Sequence, residues 1–165
     1  MDDITTEIGI TKPAIYYYFN AKEDLLVEIC FTHINNLNNG VQAIINSDLS
    51  IEEKVVQLFA NSAMQYHNNR DIAEAFLREA AHLSLEKRKE LSSLLRRIDS
   101  TIREYVDMGI TEGIFRPINS KHVVHGINGM VSWLGNWYDP AGNDDIHLIV
   151  DAYIDFIRHG LLSCN

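Results

Sequence analysis

Residues 4–26 run Ile4-Thr5-Thr6-Glu7-Ile8-Gly9-Ile10-Thr11-Lys12-Pro13-Ala14-Ile15-Tyr16-Tyr17-Tyr18-Phe19-Asn20-Ala21-Lys22-Glu23-Asp24-Leu25-Leu26, two short amphipathic segments hinged at a glycine. A short helix from Asp3 to Ile8 stops at Gly9. Thr11 caps a second from Lys12 to Phe19, with Pro13 tolerated in its first turn. Asn20, with Glu23 three residues on, opens a third in the manner of a capping box. Two short helices meeting at a tight turn form a helix-turn-helix pattern, in which the second helix enters the major groove by its N-terminal residues. In that geometry Thr11, Lys12, Pro13 and Ala14 face base edges. Tyr16 and Tyr17 offer hydroxyls to phosphate, and Lys22 adds a charge beside backbone N–H groups that already favour an anion. Ile8, Ile15 and Phe19 make the apolar inside. A plain helical hairpin with half-buried packing tyrosines fits the same residues.

Beyond this stretch, apolar residues recur at spacings of three and four, with no sustained alternation bounded by hairpin turns, so the chain is expected to be all-α. Leu25, Leu26, Ile29, Ile34 and Leu37 carry the third helix toward Asn39-Gly40. Ser50 with Glu53 opens the next, through Val55, Phe59, Ala63 and Tyr66, and Asn68-Asn69 breaks it. A short helix follows from Ile72 to His82. Ser84 then caps a long one holding Leu91, Leu94, Leu95, Ile98, Ile102 and Tyr105, which ends between Gly109 and Gly113. After the Arg116-Pro117 turn, Ser120 begins a helix with Val123, Val124, Ile127, Met130, Val131 and Leu134. Asp139-Pro140-Ala141-Gly142-Asn143 closes it, and Asn143 caps the last helix, Asp144 to Leu162. The expected division is a DNA-binding part over 1–46 and a helical bundle over 47–165.

Composition narrows the function. The 165 residues are 46% apolar and carry 14 Lys and Arg against 23 Asp and Glu, a net charge of −9, which disfavours a protein that coats nucleic acid or anionic membrane over much of its surface. A small contact patch stays compatible. The first fifty residues hold Lys12 and Lys22 against Asp2, Asp3, Glu7, Glu23, Asp24, Glu28 and Asp48, a net of −5. No apolar run approaches the roughly 18 residues of a membrane span, and the start lacks a secretory signal, so a cytoplasmic protein without membrane contact is expected. Cys30 and Cys164 stand far apart with no metal-ligand spacing, which excludes a disulfide framework or zinc ribbon. His122 and His125 lie one turn apart without a Glu-x-x-His partner and are read as helix-start or interface residues. No phosphate loop, nucleophile elbow or carboxylate pair appears, so neither catalytic residues nor a cofactor is expected.

The segment from Ile8-Gly9-Ile10-Thr11 through Tyr16-Tyr17-Tyr18-Phe19 to Lys22-Glu23-Asp24-Leu25-Leu26 closely resembles the DNA-binding motif of tetracycline-repressor-type (TetR family) regulators. Carried over by position, the resemblance implies Thr11, Lys12, Pro13, Tyr16, Tyr17 and Lys22 as contacts to a double-stranded operator, with base readout on Lys12, Pro13 and Tyr17. It implies a helical effector and dimerisation domain in the remainder. Domains of this type begin with a further helix and a basic tail. This chain starts at Met1 without either, so the expectation is a motif lacking its first helix, with Ile4, Ile8 and Phe19 short of a packing partner.

Inward rows and small residues suggest a ligand slot walled by Phe59, Ala63, Tyr66, Phe76, Leu94, Ile98, Ile102, Tyr105, Gly126, Gly129, Met130 and Trp133. Ordinary core packing accounts for any one of them. The run Gly113-Ile114-Phe115-Arg116-Pro117 and the segment Gly129 to Gly142 look like the branch of the family that senses acyl-coenzyme A thioesters. That implies an apolar acyl slot with cations near its mouth, for which Arg70, Arg78, Arg96, Arg97 and Arg103 are candidates; solvated helix faces explain them equally well. In the last helix, Ile146, Val150, Ile154, Ile157 and Leu161 form one apolar row and Ile149, Tyr153 and Phe156 a second. A stripe that wide buries two faces. One packs on its own core and the other meets a second copy, giving a homodimer interface of Val131, Leu134, Trp137, Ile149, Tyr153 and Phe156; wholly intramolecular burial is the alternative. The function expected is a ligand-responsive regulator, a repressor released from a palindromic operator by a small apolar or acyl-CoA-type effector. The rival is a truncated dimeric ligand-binding or dominant-negative protein without operator binding.

Overall fold

The computed structural model describes residues 11–79 and 83–162. Within them lie seven helices: α1 Lys12–Tyr18, α2 Lys22–Ile45, α3 Ile51–Asn68, α4 Arg70–Glu79, α5 Leu85–Thr111, α6 Ser120–Trp137 and α7 Ile146–Leu161. The expected helix from Asp3 to Ile8, with its turn at Gly9, lies outside the described residues.

Local chemistry sets most helix ends. At α3, Ser50 Oγ accepts from Glu53 N at 3.3 Å while Glu53 Oε2 accepts from Ser50 N at 3.0 Å, a complete capping box. Ser84 caps α5 by accepting from Lys87 N. At α2 the box falls one residue later than expected. Helix α2 starts after Ala21, which has no side-chain acceptor, and only the return half forms, with Asp24 Oδ2 accepting from Ala21 N at 3.0 Å. Asp145, not Asn143, caps α7, accepting from His147 N at 2.9 Å. The Asn39-Gly40 pair does not end α2. Gly40 lies against Asn61 of α3, where a Cβ would collide with the amide, and Asn61 Nδ2 reaches Leu37 O. The glycine there permits close approach of two helices.

Helix α3 is the axis of the bundle. On one side it packs with α2 and α5 through Val41, Val55, Leu58, Leu91, Ile102 and Val106, all buried, and each such side chain stabilises by about 1.5–3 kcal/mol. On the other, α6 and α7 close a second cluster of Ala63, Val131, Leu134, Tyr138, Ile146 and Val150. The end of α7 is pinned to the turn after α5: Phe115 bridges Leu162, Arg116 N donates to Leu161 O at 2.9 Å and Arg116 Nε to Gly160 O at 2.6 Å. Gly113 makes that turn with φ 75°. No helix among the described residues is long and apolar enough to cross a membrane.

Candidate functional site

Three surfaces gather the residues singled out above. The first is the exposed head of the chain. Thr11 and Pro13 are exposed, Ile15 is buried beneath them, and Tyr16, Tyr17 and Tyr18 stand out at 46%, 82% and 77% exposure. Tyr17 and Tyr18 meet edge to face with centroids 5.0 Å apart. Tyr18 was not expected to join this face; α1 is so short that its last turn has little bundle to cover it. Of Lys12 only the backbone is described, as first residue of α1.

Residues at the start of α2 tie this head to the bundle. Lys22 Nζ lies 3.3 Å from Glu79 Oε1 at the end of α4. Glu23 Oε1 accepts from Ser84 N at 2.7 Å, and Asp24 pairs with Lys87. The Ser84 N–H holds the Glu23 carboxyl below its ordinary value, and the Lys87 hydrogen bond does the same for Asp24 while raising Lys87.

A second feature is a cavity of about 300 Å³, partly open to solvent and lined by α2, α3, α4, α5 and α6, at the lower end of the size range of small-ligand sites. Of the expected wall, Tyr66, Ile98 and Ile102 line it. Phe59 and Ala63 do not: they pack in the seam of α3 with α6 and α7, where the residual gap is about 10 Å³. Leu94 packs on the main core, Met130 is half-buried outside the wall, and Tyr105 turns its hydroxyl to Ile45 O at 3.5 Å. Gly126 and Gly129 correct the expectation most directly. Both are exposed with open space where a Cβ would stand, so their small size opens no slot. Trp133 is 62% exposed, on the outer face of α6. The side chain of Phe76 lies outside the described residues.

The cavity instead uses a row not expected to face it, Cys30, His33, Ile34 and Leu37 of α2, together with Ile72 and Ala73 of α4 and Asp99, Asn128 and Ser132 of α5 and α6. The α2 row falls at i, i+3, i+4, i+7, a helical stripe that periodicity alone reveals. Burial raises the Cys30 thiol above its ordinary value and lowers His33, whose Nδ1 is buried without a partner. Asn128 Nδ2 donates to Asp99 Oδ1 at 2.9 Å, joining α6 to α5 on the cavity wall.

None of the five candidate arginines lines the cavity. Arg70 is engaged elsewhere: Nε pairs with Glu74 at 2.7 Å, Nη1 donates to Tyr138 O at 2.8 Å and Nη2 to Gly135 O at 3.0 Å. Its guanidinium therefore caps the C-terminus of α6, where a cation also complements the helix dipole.

The outer face of α6 and α7 is the third surface. Val131 and Leu134, expected at an interface between copies, are buried within the protomer, and Ile149 and Tyr153 are half-buried against the same cluster. Trp137 and Phe156 do face outward, at 45% and 68% exposure, and Trp133 and Leu148 (68%) join them. The apolar stripe of these helices is split, one row to the core and one to the surface. His122 and His125 are both exposed on α6.

Two family models match the chain: "Tetracyclin repressor-like, C-terminal domain" over residues 48–161 and "Bacterial regulatory proteins, tetR family" over residues 1–29. The HTH-type transcriptional repressor KstR2 of Rhodococcus jostii (strain RHA1) is 22% identical over 166 residues, covering 98% of this chain and 80% of that protein. Among solved structures, the TetR family transcriptional regulator PfmR from Thermus thermophilus superposes with a TM-score of 0.87 at 24% identity, over 98% of this chain and 88% of that one. AibR, crystallised in complex with isovaleryl coenzyme A and operator DNA, superposes with a TM-score of 0.81 at 19% identity, over 93% and 84%.

Proposed function

Because the chain belongs to the TetR family of bacterial transcriptional regulators, whose members are not enzymes, we propose that it is a homodimeric repressor released from a palindromic operator by a small molecule held in the α2–α6 cavity. Residues 1–46 serve as the reading head and residues 47–165 as the effector and dimerisation part, with α2 common to both. The observation that carries the reading is the continuity of α2. The helix that begins at Lys22, beside the exposed tyrosines, also presents Cys30, His33, Ile34 and Leu37 to the cavity. Two copies meeting by Trp133, Trp137, Leu148 and Phe156 would offer two heads to half-sites about 34–36 Å apart. A ligand that prefers the spacing unable to span both grooves by a few kcal/mol shifts occupancy. An acyl-CoA-type effector is supported by the apolar wall and by AibR, which was crystallised with such a thioester.

The test is fluorescence anisotropy on labelled DNA from the gene's upstream region, across a salt series. Tyr17→Ala is expected to weaken specific binding by about 1–3 kcal/mol, and Lys22→Ala to lower the salt slope by about 1, with dimer mass unchanged. Wild-type affinity in both variants would overturn the assignment of the head.

A further inference from the structure

The chemistry of the cavity wall restricts what enters it. Fourteen of the sixteen lining residues are apolar or neutral by type; the remaining two are Asp99 and His33, and no Lys or Arg is among them. Burial holds His33 below its ordinary value, so its ring supplies no positive charge at neutral pH. Asp99 is half-buried, bonded to the neutral amide of Asn128, and no cation lies within ion-pair distance of it among the described residues. Among the residues that line it, the wall therefore carries a negative charge and no positive one; Arg96 and Arg103, one turn to either side of Asp99 on α5, are not part of the lining.

We propose that the Asp99–Asn128 pair is a charge filter: the part of the effector that enters the cavity is an apolar body bearing an uncharged hydrogen-bonding group, such as an amide, alcohol or thioester, and a free carboxylate of the same skeleton is rejected. The proposal rests on the effector reading above and adds its specificity determinant. Asp99 keeps one oxygen beyond the Asn128 bond to accept from a ligand donor, and Asn128 keeps a second N–H for a ligand carbonyl. A carboxylate brought to the same place faces like charge in partly excluded solvent, and at separations near 6 Å that repulsion changes affinity on the order of tenfold.

The experiment uses a matched pair of probes sized to the cavity, decanamide and decanoate, titrated calorimetrically into the full chain at pH 7.5. Decanamide should bind about tenfold or more tightly than decanoate. Asp99→Asn retains a partner for Asn128, and should bring the two within about threefold by strengthening decanoate. Leu95→Lys places a cation one turn before Asp99 on the cavity wall, and should likewise strengthen decanoate, which keeps the test open should either variant alone lose its fold. Decanoate binding the wild type as well as decanamide does, or a ratio unmoved by both variants, would overturn the filter. Binding of neither probe, with operator affinity insensitive to both, would instead overturn the cavity as effector site, and the filter with it.

Discussion

Truncating Trp133 should separate the two copies without unfolding either. The indole is 62% exposed on α6 and the Phe156 ring 68% exposed on α7, so in an isolated protomer both face water and their removal costs the fold little. Covered by a second copy, an aromatic side chain of about 250 Å² would bury up to about 155 Å² of newly hidden surface. At about 25 cal/mol per Å², that is about 4 kcal/mol as an upper figure. Incomplete coverage makes about 2 kcal/mol per side chain the working value, in line with aromatic interface hot spots. The symmetry of the pair doubles it, so Trp133→Ala should raise the dimer dissociation constant by about a thousandfold. Sedimentation velocity over a dilution series from micromolar to nanomolar reads this directly. Leu134→Ala is the counterpart: Leu134 is 2% exposed inside the protomer, so its loss should cost about 2–5 kcal/mol of folding stability. If Trp133→Ala and Phe156→Ala both dissociate within threefold of wild type, copies do not meet on this face and the dimer in the functional proposal is wrong.

Two further expectations concern the fold beneath the cavity. At Gly109 an added Cβ would run into the buried Phe115 ring, whose backbone is held by Ile114 N and Phe115 N donating to Gly109 O. Overpacking of about 1–3 kcal/mol then outweighs the roughly 1 kcal/mol of helix propensity gained. Gly109→Ala should lower the melting temperature by about 2–4 °C per kcal/mol of net loss, with Phe115→Leu restoring part of it; a higher melting temperature for the single variant would refute the contact. Burial lowers His33 from its ordinary 6.5. The unfolded chain therefore binds the proton first, and the stability contributed by the neutral ring is fully present above 6.5 and lost as pH falls through the lowered value. Urea melts from pH 7.5 to 5 should show a steeper decline for wild type than for His33→Gln, and parallel curves would count against a buried His33.

Helix existence was legible because it depends on chemistry a few residues long. The Ser50–Glu53 box needs only two side chains three positions apart, and both bonds form. Boundaries slipped where neighbours compete for one role. Asn143, Asp144 and Asp145 are all competent caps, and the residue type does not say which of them the helix uses; Asp145 takes the role by accepting from His147 N. The cavity was legible in part, through Tyr66, Ile98 and Ile102, because an apolar row faces inward whether it meets a void or another side chain. Gly126 and Gly129 misled for the same reason in reverse, since lack of bulk describes an open surface as well as a slot. Trp133 and Val131 sit two residues apart on one apolar helix, and which of them meets water is settled by where α3 lies, a fact beyond the reach of periodicity.

The surplus of acid near the start of the chain looks opposed to a phosphate backbone, yet a count along the sequence misplaces its charges. Glu23 is taken up by Ser84 N and Asp24 by Lys87, partners 61 and 63 positions away. Asp48 lies past the far end of a helix of 24 residues, about 36 Å from the head. That is several Debye lengths at physiological salt, so it contributes almost nothing to the field at Tyr17. Of the described side chains at the start of α2, the cation is Lys22, and its partner Glu79 comes from 57 positions on, at the end of the helix whose Ile72 and Ala73 line the cavity. Both groups of that pair are well exposed, at 58% and 38%, and exposed pairs of this kind add little stability. In the reading proposed above, exchanging Glu79 for a phosphate would therefore cost Lys22 little, while the described charges of Lys22, Glu23 and Asp24 all find their partners on α4, on α5 or at its N-cap.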